Sequence, residues 1–332
     1  MKKWLENVKR MEKKKAMPVL SFPSTSLMNI TVKELIEDRD KQAEGMKLIA
    51  DRVDSLASVS MMDLSVEAEA FGSTIYVSDD EVPTVTNSIV NSLEDAKELK
   101  VPPVGAGRTA KYIEAINKAT DIITDRPVFA GVIGPYSLAG RLMDVTEIMI
   151  NCYTEPDMVK ITMEKATDFL IEYIKAYKAV GARGIVMAEP LTGLLSPDMA
   201  AEFSEPYVRK IIDAVKDDTF LVIYHNCGNN TIQMIESILR TNADAYHFGN
   251  SIDMKEMMEN IPSDTIAMGN IDPAAQFRNG TPESIATATT NLLNELSAKY
   301  PNFVISSGCD IPPDSKWENI DAFFNAVTEF YN

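Results

Sequence analysis

The chain has 332 residues, of which 45% are hydrophobic, and it carries a net charge of -17. This composition can bury a large core, and one α/β barrel commonly reaches this length. The strong negative charge argues against nucleic acid as a partner, because the phosphate backbone requires a basic surface. No apolar run is long enough to cross a bilayer, and residues 1–15 lack the apolar segment of a secretory signal. We therefore expect a cytoplasmic protein without a membrane partner.

The first predicted element is an amphipathic helix at the N-terminus. Trp4, Leu5 and Val8 recur at helical spacing, and basic residues fill the other faces. We expect this helix, residues 1–16, to pack on one end of a barrel domain formed by residues 17–332. Binding to a membrane surface is the alternative, which the acidic remainder of the chain disfavours.

Short segments rich in β-branched and aromatic residues then alternate with helical ones. The predicted strands are Pro18–Phe22, Ala57–Met62, Pro127–Ile133, Gly184–Ala188, Phe220–Tyr224, Ala243–Phe248, Thr265–Met268 and Phe303–Ser307. The main predicted helices are Thr31–Ala50, Lys111–Thr124, Ala139–Asn151, Pro156–Val180, Pro197–Lys216, Thr231–Arg240, Met254–Asn260, Pro282–Tyr300 and Trp317–Tyr331. This alternation without a break in composition predicts a single (β/α)8 TIM barrel of the α/β class. A doubly wound sheet is the alternative, but no glycine-rich nucleotide loop follows any strand.

In such a barrel the active site forms at the C-terminal ends of the strands. Those ends carry a ring of polar residues: Asp63, Tyr136, Glu189, His225, Cys227, His247, Asp272 and Cys309. The ring contains both histidines and two of the three cysteines of the chain. The third cysteine, Cys152, falls late in a predicted helix and is interpreted as a small buried side chain.

Three of these residues suggest a metal site. His225 and Cys227 are two residues apart at the end of a predicted strand, so their side chains point to the same face. Cys309 lies in a turn after the last strand. One histidine and two cysteines favour tetrahedral zinc with one position left open, which is typical of a catalytic site. A structural zinc site and two incidental buried cysteines are the alternatives.

The remaining ring residues receive weaker assignments. Glu189 is a candidate fourth zinc ligand in the resting state, and a contact to His225 from outside the metal shell or a plain loop role are the alternatives. His247 is interpreted as a buried histidine outside the zinc set. The candidate substrate-binding residues are Asp63, Tyr136, Arg141, His247 and Asp272.

Several segments resemble the uroporphyrinogen decarboxylase superfamily: Ser60–Gly72, Ile133–Gly140 and Gly308–Pro313. The resemblance extends over nearly the whole chain. Within that superfamily, His225-x-Cys227-Gly228 together with Cys309 is similar to the corrinoid-dependent branch. The members of this branch are zinc methyltransferases that move a methyl group from a methylcorrinoid protein to a thiol such as coenzyme M.

The chain departs from the true decarboxylases in two places. Those enzymes carry an arginine-rich loop after the first strand, whereas Phe22–Leu27 contains no arginine here, and they carry a histidine where this chain has Cys309. Asp63 does match their catalytic aspartate. A decarboxylase remains an alternative, as does a non-catalytic barrel that binds a corrinoid or tetrapyrrole and uses zinc as a structural element.

The resemblance implies a specific chemistry. A zinc ion held by His225, Cys227 and Cys309 would bind the incoming thiol and lower its pKa. The sulfur would take the methyl group from methylcobalamin, which a separate corrinoid protein would present at the barrel mouth. If the thiol is coenzyme M, Arg141 is a candidate partner for its sulfonate, and a salt-bridged surface arginine is the alternative.

Overall fold

The computed structural model describes residues 1–332 and contains a curled parallel sheet surrounded by helices. The strands are β1 (Ser58–Val59), β2 (Ile75–Tyr76), β3 (Thr84–Val85), β4 (Val128–Ile133), β5 (Gly184–Ala188), β6 (Leu221–Asn226), β7 (Ala245–Phe248), β8 (Ile266–Ile271) and β9 (Phe303–Ser307). Seven of them form the parallel sheet in the order β1-β4-β5-β6-β7-β8-β9, and β2 and β3 pair as a separate antiparallel hairpin. Neighbouring strands in the large sheet follow one another along the chain, as the connections of a barrel require.

Sixteen α-helices accompany the strands. They are α1 (Lys2–Arg10), α2 (Ser24–Met28), α3 (Val32–Glu37), α4 (Arg39–Arg52), α5 (Val66–Ala70), α6 (Leu93–Glu98), α7 (Thr109–Ile122), α8 (Pro135–Met143), α9 (Val145–Thr154), α10 (Pro156–Ala179), α11 (Pro197–Phe203), α12 (Glu205–Val215), α13 (Ile235–Arg240), α14 (Met254–Asn260), α15 (Pro282–Leu296) and α16 (Trp317–Tyr331). No helix combines the length and the apolar character that a membrane span requires.

The sheet has seven strands where the sequence predicted eight. The predicted first strand, Pro18–Phe22, follows a stretch that contacts both edges of the sheet. Met17 N donates to Ile305 O of β9 at 3.1 Å, and Leu56 N, just before β1, donates to Ala16 O at 2.9 Å. This segment of the chain therefore occupies the position of the eighth barrel strand without forming a regular hydrogen-bond ladder. One reason is that Pro18 has no N–H to donate. The prediction of a regular first strand was wrong, although its place in the barrel was right.

Two predicted helices are divided by aspartates. The segment predicted as Thr31–Ala50 breaks at Asp38, and the one predicted as Ala139–Asn151 breaks at Asp144. Each aspartate accepts hydrogen bonds from the first backbone N–H groups of the next helix, α4 and α9 respectively. A side chain that caps a new helix competes with continuation of the old one.

Alternation along β6 separates two hydrophobic cores. Val222 packs with the helices outside the sheet, whereas Ile223 belongs to a cluster inside the sheet that also contains Leu5 and Val8 of α1. Side chains two residues apart share a face, so His225 points into the barrel interior above Ile223. The division of the chain into a helix at 1–16 and a barrel domain at 17–332 stays a prediction.

Candidate active site

Three sulfur and nitrogen donors meet at the C-terminal end of the barrel. His225 is the penultimate residue of β6, and Cys227 directly follows that strand. Cys309 lies two residues beyond the end of β9. β6 and β9 are separated by β7 and β8, so only the curl of the sheet brings them together. One donor atom from each residue lies within 4.8 Å of the others. We call these three residues the soft-donor cluster.

Two glycines provide the space around Cys227. A Cβ atom on Gly249 would lie 2.4 Å from the Cβ of Cys227, which no real side chain tolerates. A Cβ on Gly228 would lie 2.2 Å from the Cα of Gly193, so the loops after β5 and β6 touch backbone to backbone. Glycine at these positions permits a close approach that any larger residue would prevent.

The two cysteines of the cluster behave as a coupled pair. The hydrogen bond from Cys309 lowers the pKa of Cys227, while the same contact, with burial, raises the pKa of Cys309 to about 12. Cys227 is therefore the sulfur that loses its proton first. A divalent cation bound by both sulfurs would displace their protons, as thiolate coordination requires.

The histidine of the cluster has a nitrogen with no partner. His225 is 1% exposed, and its Nε2 atom accepts and donates no hydrogen bond in the structure. An unpaired polar atom in a buried position is unfavourable unless a ligand satisfies it. The orphaned nitrogen and the adjacent sulfur pair fit a zinc ion, because zinc prefers nitrogen and thiolate donors.

Glu189, predicted as the fourth ligand, lies elsewhere. Its carboxylate accepts the backbone N–H groups of Tyr136 at 2.8 Å and Ser137 at 2.9 Å, and the Ser137 hydroxyl at 2.6 Å. These donors form the N-terminus of α8, whose partial positive charge suits a carboxylate. Burial nevertheless raises the pKa of Glu189 to about 7, against the lowering effect of its hydrogen bonds. The structure does not bring Glu189 into the soft-donor cluster.

Asp63 belongs to a second buried group, which we call the Asp63 cluster: Asp63, Ser65, Glu69, Arg108 and Tyr112. The Asp63 carboxylate accepts from Arg108 Nη1 at 2.5 Å, Tyr112 Oη at 2.6 Å and Ser65 Oγ at 2.5 Å. The same guanidinium also binds Glu69 at 2.6 Å. Burial and then Asp63 raise the pKa of Tyr112, so its hydroxyl remains a donor. The lone pairs of Asp63 are thus engaged by the protein itself.

The other predicted substrate-binding residues fall into different surroundings. The fully buried Tyr136 places its hydroxyl 3.7 Å from the sulfur of Cys152. Asp272 caps the short helical turn after β8 and accepts from Asn250 at 2.9 Å. His247, on β7, packs against His225 with its ring centre 4.7 Å away. Burial and the neighbouring His225 lower the pKa of His247 well below its ordinary value.

Arg141 differs from every other buried or half-buried arginine. It lies in the last turn of α8, is half-buried, and makes no hydrogen bond or ion pair with its side chain. Burial lowers its pKa, and no acidic group opposes that effect. A guanidinium in this position is an available partner for an anion.

Comparisons with known proteins agree with this geometry. The model of the uroporphyrinogen decarboxylase family matches residues 14–330. The chain belongs to this family. It is 30% identical to the methylcobamide:CoM methyltransferase MtbA of Methanosarcina acetivorans over 70% of this chain and 69% of that protein. The protein of the same name from Methanosarcina mazei is 32% identical, again over 70% and 69% of the two chains.

A solved structure supports the fold of this family member. A methyltransferase from Methanosarcina mazei superposes with a TM-score of 0.87 at 23% identity, covering 99% of this chain and 98% of that one. The predicted TIM-barrel fold is therefore confirmed. The predicted membership in the methyltransferase branch of the uroporphyrinogen decarboxylase family is confirmed as well.

The residues that surround the two clusters were not predicted from the sequence. Arg108 lies in a proline- and glycine-rich stretch outside the predicted strands and helices, and nothing in the sequence marks it as a partner of Asp63. Ser306 contacts His247 and lies on β9, three residues before Cys309. Its position two residues after the interior-facing Val304 was the available signal, because it predicts a polar side chain inside the barrel.

Proposed function

We propose that the protein is a zinc-dependent methyltransferase that moves a methyl group from a protein-bound methylcorrinoid to a small thiol such as coenzyme M. The observation that supports it most directly is the soft-donor cluster, in which His225, Cys227 and Cys309 converge and one buried nitrogen has no partner. The two MtbA relatives, which are named methylcobamide:CoM methyltransferases, point to the same reaction.

The cluster has the composition of a catalytic metal site. His225, Cys227 and Cys309 would hold the zinc ion, and no carboxylate or further cysteine joins the group. Three protein ligands leave room for a substrate atom, whereas a structural site is closed by four. When bound, zinc supplies a Lewis acid that keeps a thiol sulfur ionised near neutral pH.

The protein residues of the site position the two substrates for methyl transfer. The thiol loses its proton to solvent, and its sulfur forms a bond to the methyl carbon as the cobalt–carbon bond breaks. The corrinoid leaves with the electron pair of that bond as cobalt(I), so no external oxidant or reductant is required. The barrel residues hold the sulfur in line with the methyl group, which converts an encounter of two molecules into an oriented reaction.

We further propose that the unpaired Arg141 binds an anionic group of the acceptor thiol. Its guanidinium has no protein partner, whereas the buried Arg108 is fully engaged by Asp63 and Glu69. A sulfonate at Arg141 would gain charge-assisted hydrogen bonds without displacing a carboxylate. Coenzyme M, a small thiol with a sulfonate, matches this requirement.

The alternative of a decarboxylase has less support from the structure. Asp63, which matches the catalytic aspartate of those enzymes, has a side chain with no exposed surface. Its oxygens are held by Arg108, Tyr112 and Ser65. A carboxylate so completely paired has no free lone pair for a substrate.

The test compares the wild type with two cysteine variants. Purified wild-type protein is expected to hold about one zinc per chain and to methylate coenzyme M from methylcobalamin. Cys309→Ala should lose both the metal and the methyl transfer, since a ligand is removed. Cys152→Ala is the matched control, because the only hydrogen-bond partner of that thiol is the hydroxyl of Tyr136 and it lies outside the cluster.

Three outcomes would contradict parts of the proposal. An intact zinc in folded Cys309→Ala would refute the ligand assignment. Wild-type protein that binds zinc but methylates no thiol would indicate a non-catalytic barrel. Decarboxylation of uroporphyrinogen by the wild type would favour the decarboxylase. Glu189→Gln should keep its zinc, because the carboxylate binds the N-terminus of α8.

A further inference from the structure

We propose that His247 and Ser306 form a hydrogen-bonded relay that fixes the tautomer of His225 and so exposes its Nε2 lone pair to the metal. This makes His247 a positioning residue, in place of the substrate-binding role predicted from the sequence. The inference rests on the metal centre proposed above, and it concerns three side chains inside the barrel.

The relay begins at a backbone carbonyl. Ser306 Oγ lies 2.8 Å from Met17 O and 2.7 Å from His247 Nε2. A carbonyl oxygen can only accept, and no other group donates to Met17 O. The single hydroxyl proton of Ser306 therefore belongs to that carbonyl, because otherwise a buried acceptor would lack a donor. It follows that His247 Nε2 carries a hydrogen and donates it to Ser306.

The second link joins the two histidines. His247 is buried and touches no carboxylate, so its ring is neutral and carries one proton. Since that proton is on Nε2, the Nδ1 atom of His247 is an acceptor. His225 Nδ1 lies 2.7 Å from it and must be the donor.

A second contact also indicates that the Nδ1 atom of His225 carries the proton. His225 Nδ1 also lies 3.3 Å from the backbone carbonyl of His247, which can only accept. A proton on Nδ1 leaves Nε2 of the neutral imidazole with a bare lone pair. This is the atom that has no partner in the structure, in a ring that offers one nitrogen within 4.8 Å of the sulfurs of Cys227 and Cys309.

The sheet explains why the relay can form. His225 and His247 are paired residues on the adjacent parallel strands β6 and β7. Ser306 lies on β9, and Met17 belongs to the stretch that fills the gap in the barrel. The relay therefore crosses the barrel interior from the metal side to the N-terminal segment. A contact that orients a metal-binding histidine typically contributes about 10–100-fold to metal affinity.

The direct test is the tautomer of each ring in zinc-free wild-type protein. The chain has only two histidines, so long-range proton–nitrogen NMR of histidine-labelled protein reports on four imidazole nitrogens. We expect His225 to be protonated on Nδ1 and His247 on Nε2. Protonation of His225 on Nε2 would overturn the inference whatever the variants show, and this measurement does not depend on any substitution being tolerated.

Zinc affinity in variants is the second readout, measured by competition with a chelator. His247→Leu, which removes the acceptor, should bind zinc about 10–100-fold more weakly. His247→Asn, whose amide oxygen can replace Nδ1 as acceptor, should recover most of that loss. Equal affinity of folded His247→Leu and wild type would overturn the relay.

Ser306→Ala has a matched control in Ser307→Ala. Both serines are fully buried on β9 and both bond the N-terminal segment, but the Ser307 hydroxyl accepts from Val19 N at 3.1 Å and makes no hydrogen bond with His247. Only Ser306→Ala should weaken zinc binding and shift the tautomers. An equal effect in both variants would overturn the relay. A wild type with the expected tautomers that binds no zinc would support the relay and refute the proposed metal centre.

Discussion

The soft-donor cluster and the Asp63 cluster lie near the same end of one barrel, yet they differ in how their polar atoms are paired. In the Asp63 cluster a buried carboxylate and guanidinium bind each other, and neighbouring side chains occupy their remaining sites. In the soft-donor cluster a buried histidine nitrogen has no partner. A satisfied network stabilises a unique fold, whereas an unsatisfied one is available to a ligand.

The largest expected effect distinguishes the two clusters by stability. Arg108→Met leaves the Asp63 carboxylate buried and uncompensated, so we expect the free energy of unfolding to fall by about 3–5 kcal/mol. Chemical denaturation measures this change. The folded fraction should still bind zinc, because no member of the Asp63 cluster belongs to the soft-donor cluster.

The control for Arg108 is another arginine in an ion pair. Arg209 pairs with Asp213 at 3.7 Å, and both side chains are 58% exposed, so Arg209→Met should change the unfolding free energy by less than about 1 kcal/mol. If Arg108→Met were no more destabilising than this control, the Asp63 cluster would not contribute to the stability of the fold.

The contrast between paired and unpaired polar groups also applies to Arg141 and to substrate binding. Because its guanidinium is unpaired, Arg141→Met should raise the KM for coenzyme M by about 10–100-fold, the equivalent of a charged hydrogen bond of about 1.5–3 kcal/mol. The KM for an uncharged thiol such as 2-mercaptoethanol should change little. Arg183 is also unpaired but exposed, so Arg183→Met is the matched control. An equal effect on both thiols would contradict sulfonate binding.

A pH dependence of stability is also expected beside the Asp63 cluster. Glu67 is buried, and burial raises its pKa to about 8 from an ordinary value near 4.5. The charged and titratable groups that face it are Asp63, Arg108, Tyr173 and Tyr177. The folded state holds this proton more tightly than the unfolded state, so its contribution to stability is complete below about pH 4.5 and is lost as the pH rises toward 8.

The measurement is the free energy of unfolding as a function of pH. Glu67→Gln, which stays neutral, should flatten the decline between about pH 4.5 and 8. Exposed Glu329 has no side-chain partner, so Glu329→Gln should leave the profile of the wild type unchanged. An identical slope in Glu67→Gln and wild type would show that Glu67 is ionised throughout.

Much of the fold could be predicted because strand and helix periodicity is local. Seven of the eight predicted barrel strands are present, and the failure at Pro18–Phe22 has a local cause, the missing N–H of proline. The division of helices at Asp38 and Asp144 was missed because a capping aspartate and an interior aspartate look alike until the backbone turns.

The sequence by itself determined which donors the site could contain. Two histidines and three cysteines are few, and the spacing of His225 and Cys227 places both on one face of a strand. Only the tertiary structure decided what those donors contact. The curl of the sheet brings Cys309 to them, the N-terminus of α8 binds Glu189, and Ser306 and His247 orient the imidazole of His225. Hydrogen-bond partners far apart in the chain leave no local pattern, because any buried polar residue satisfies the same periodicity.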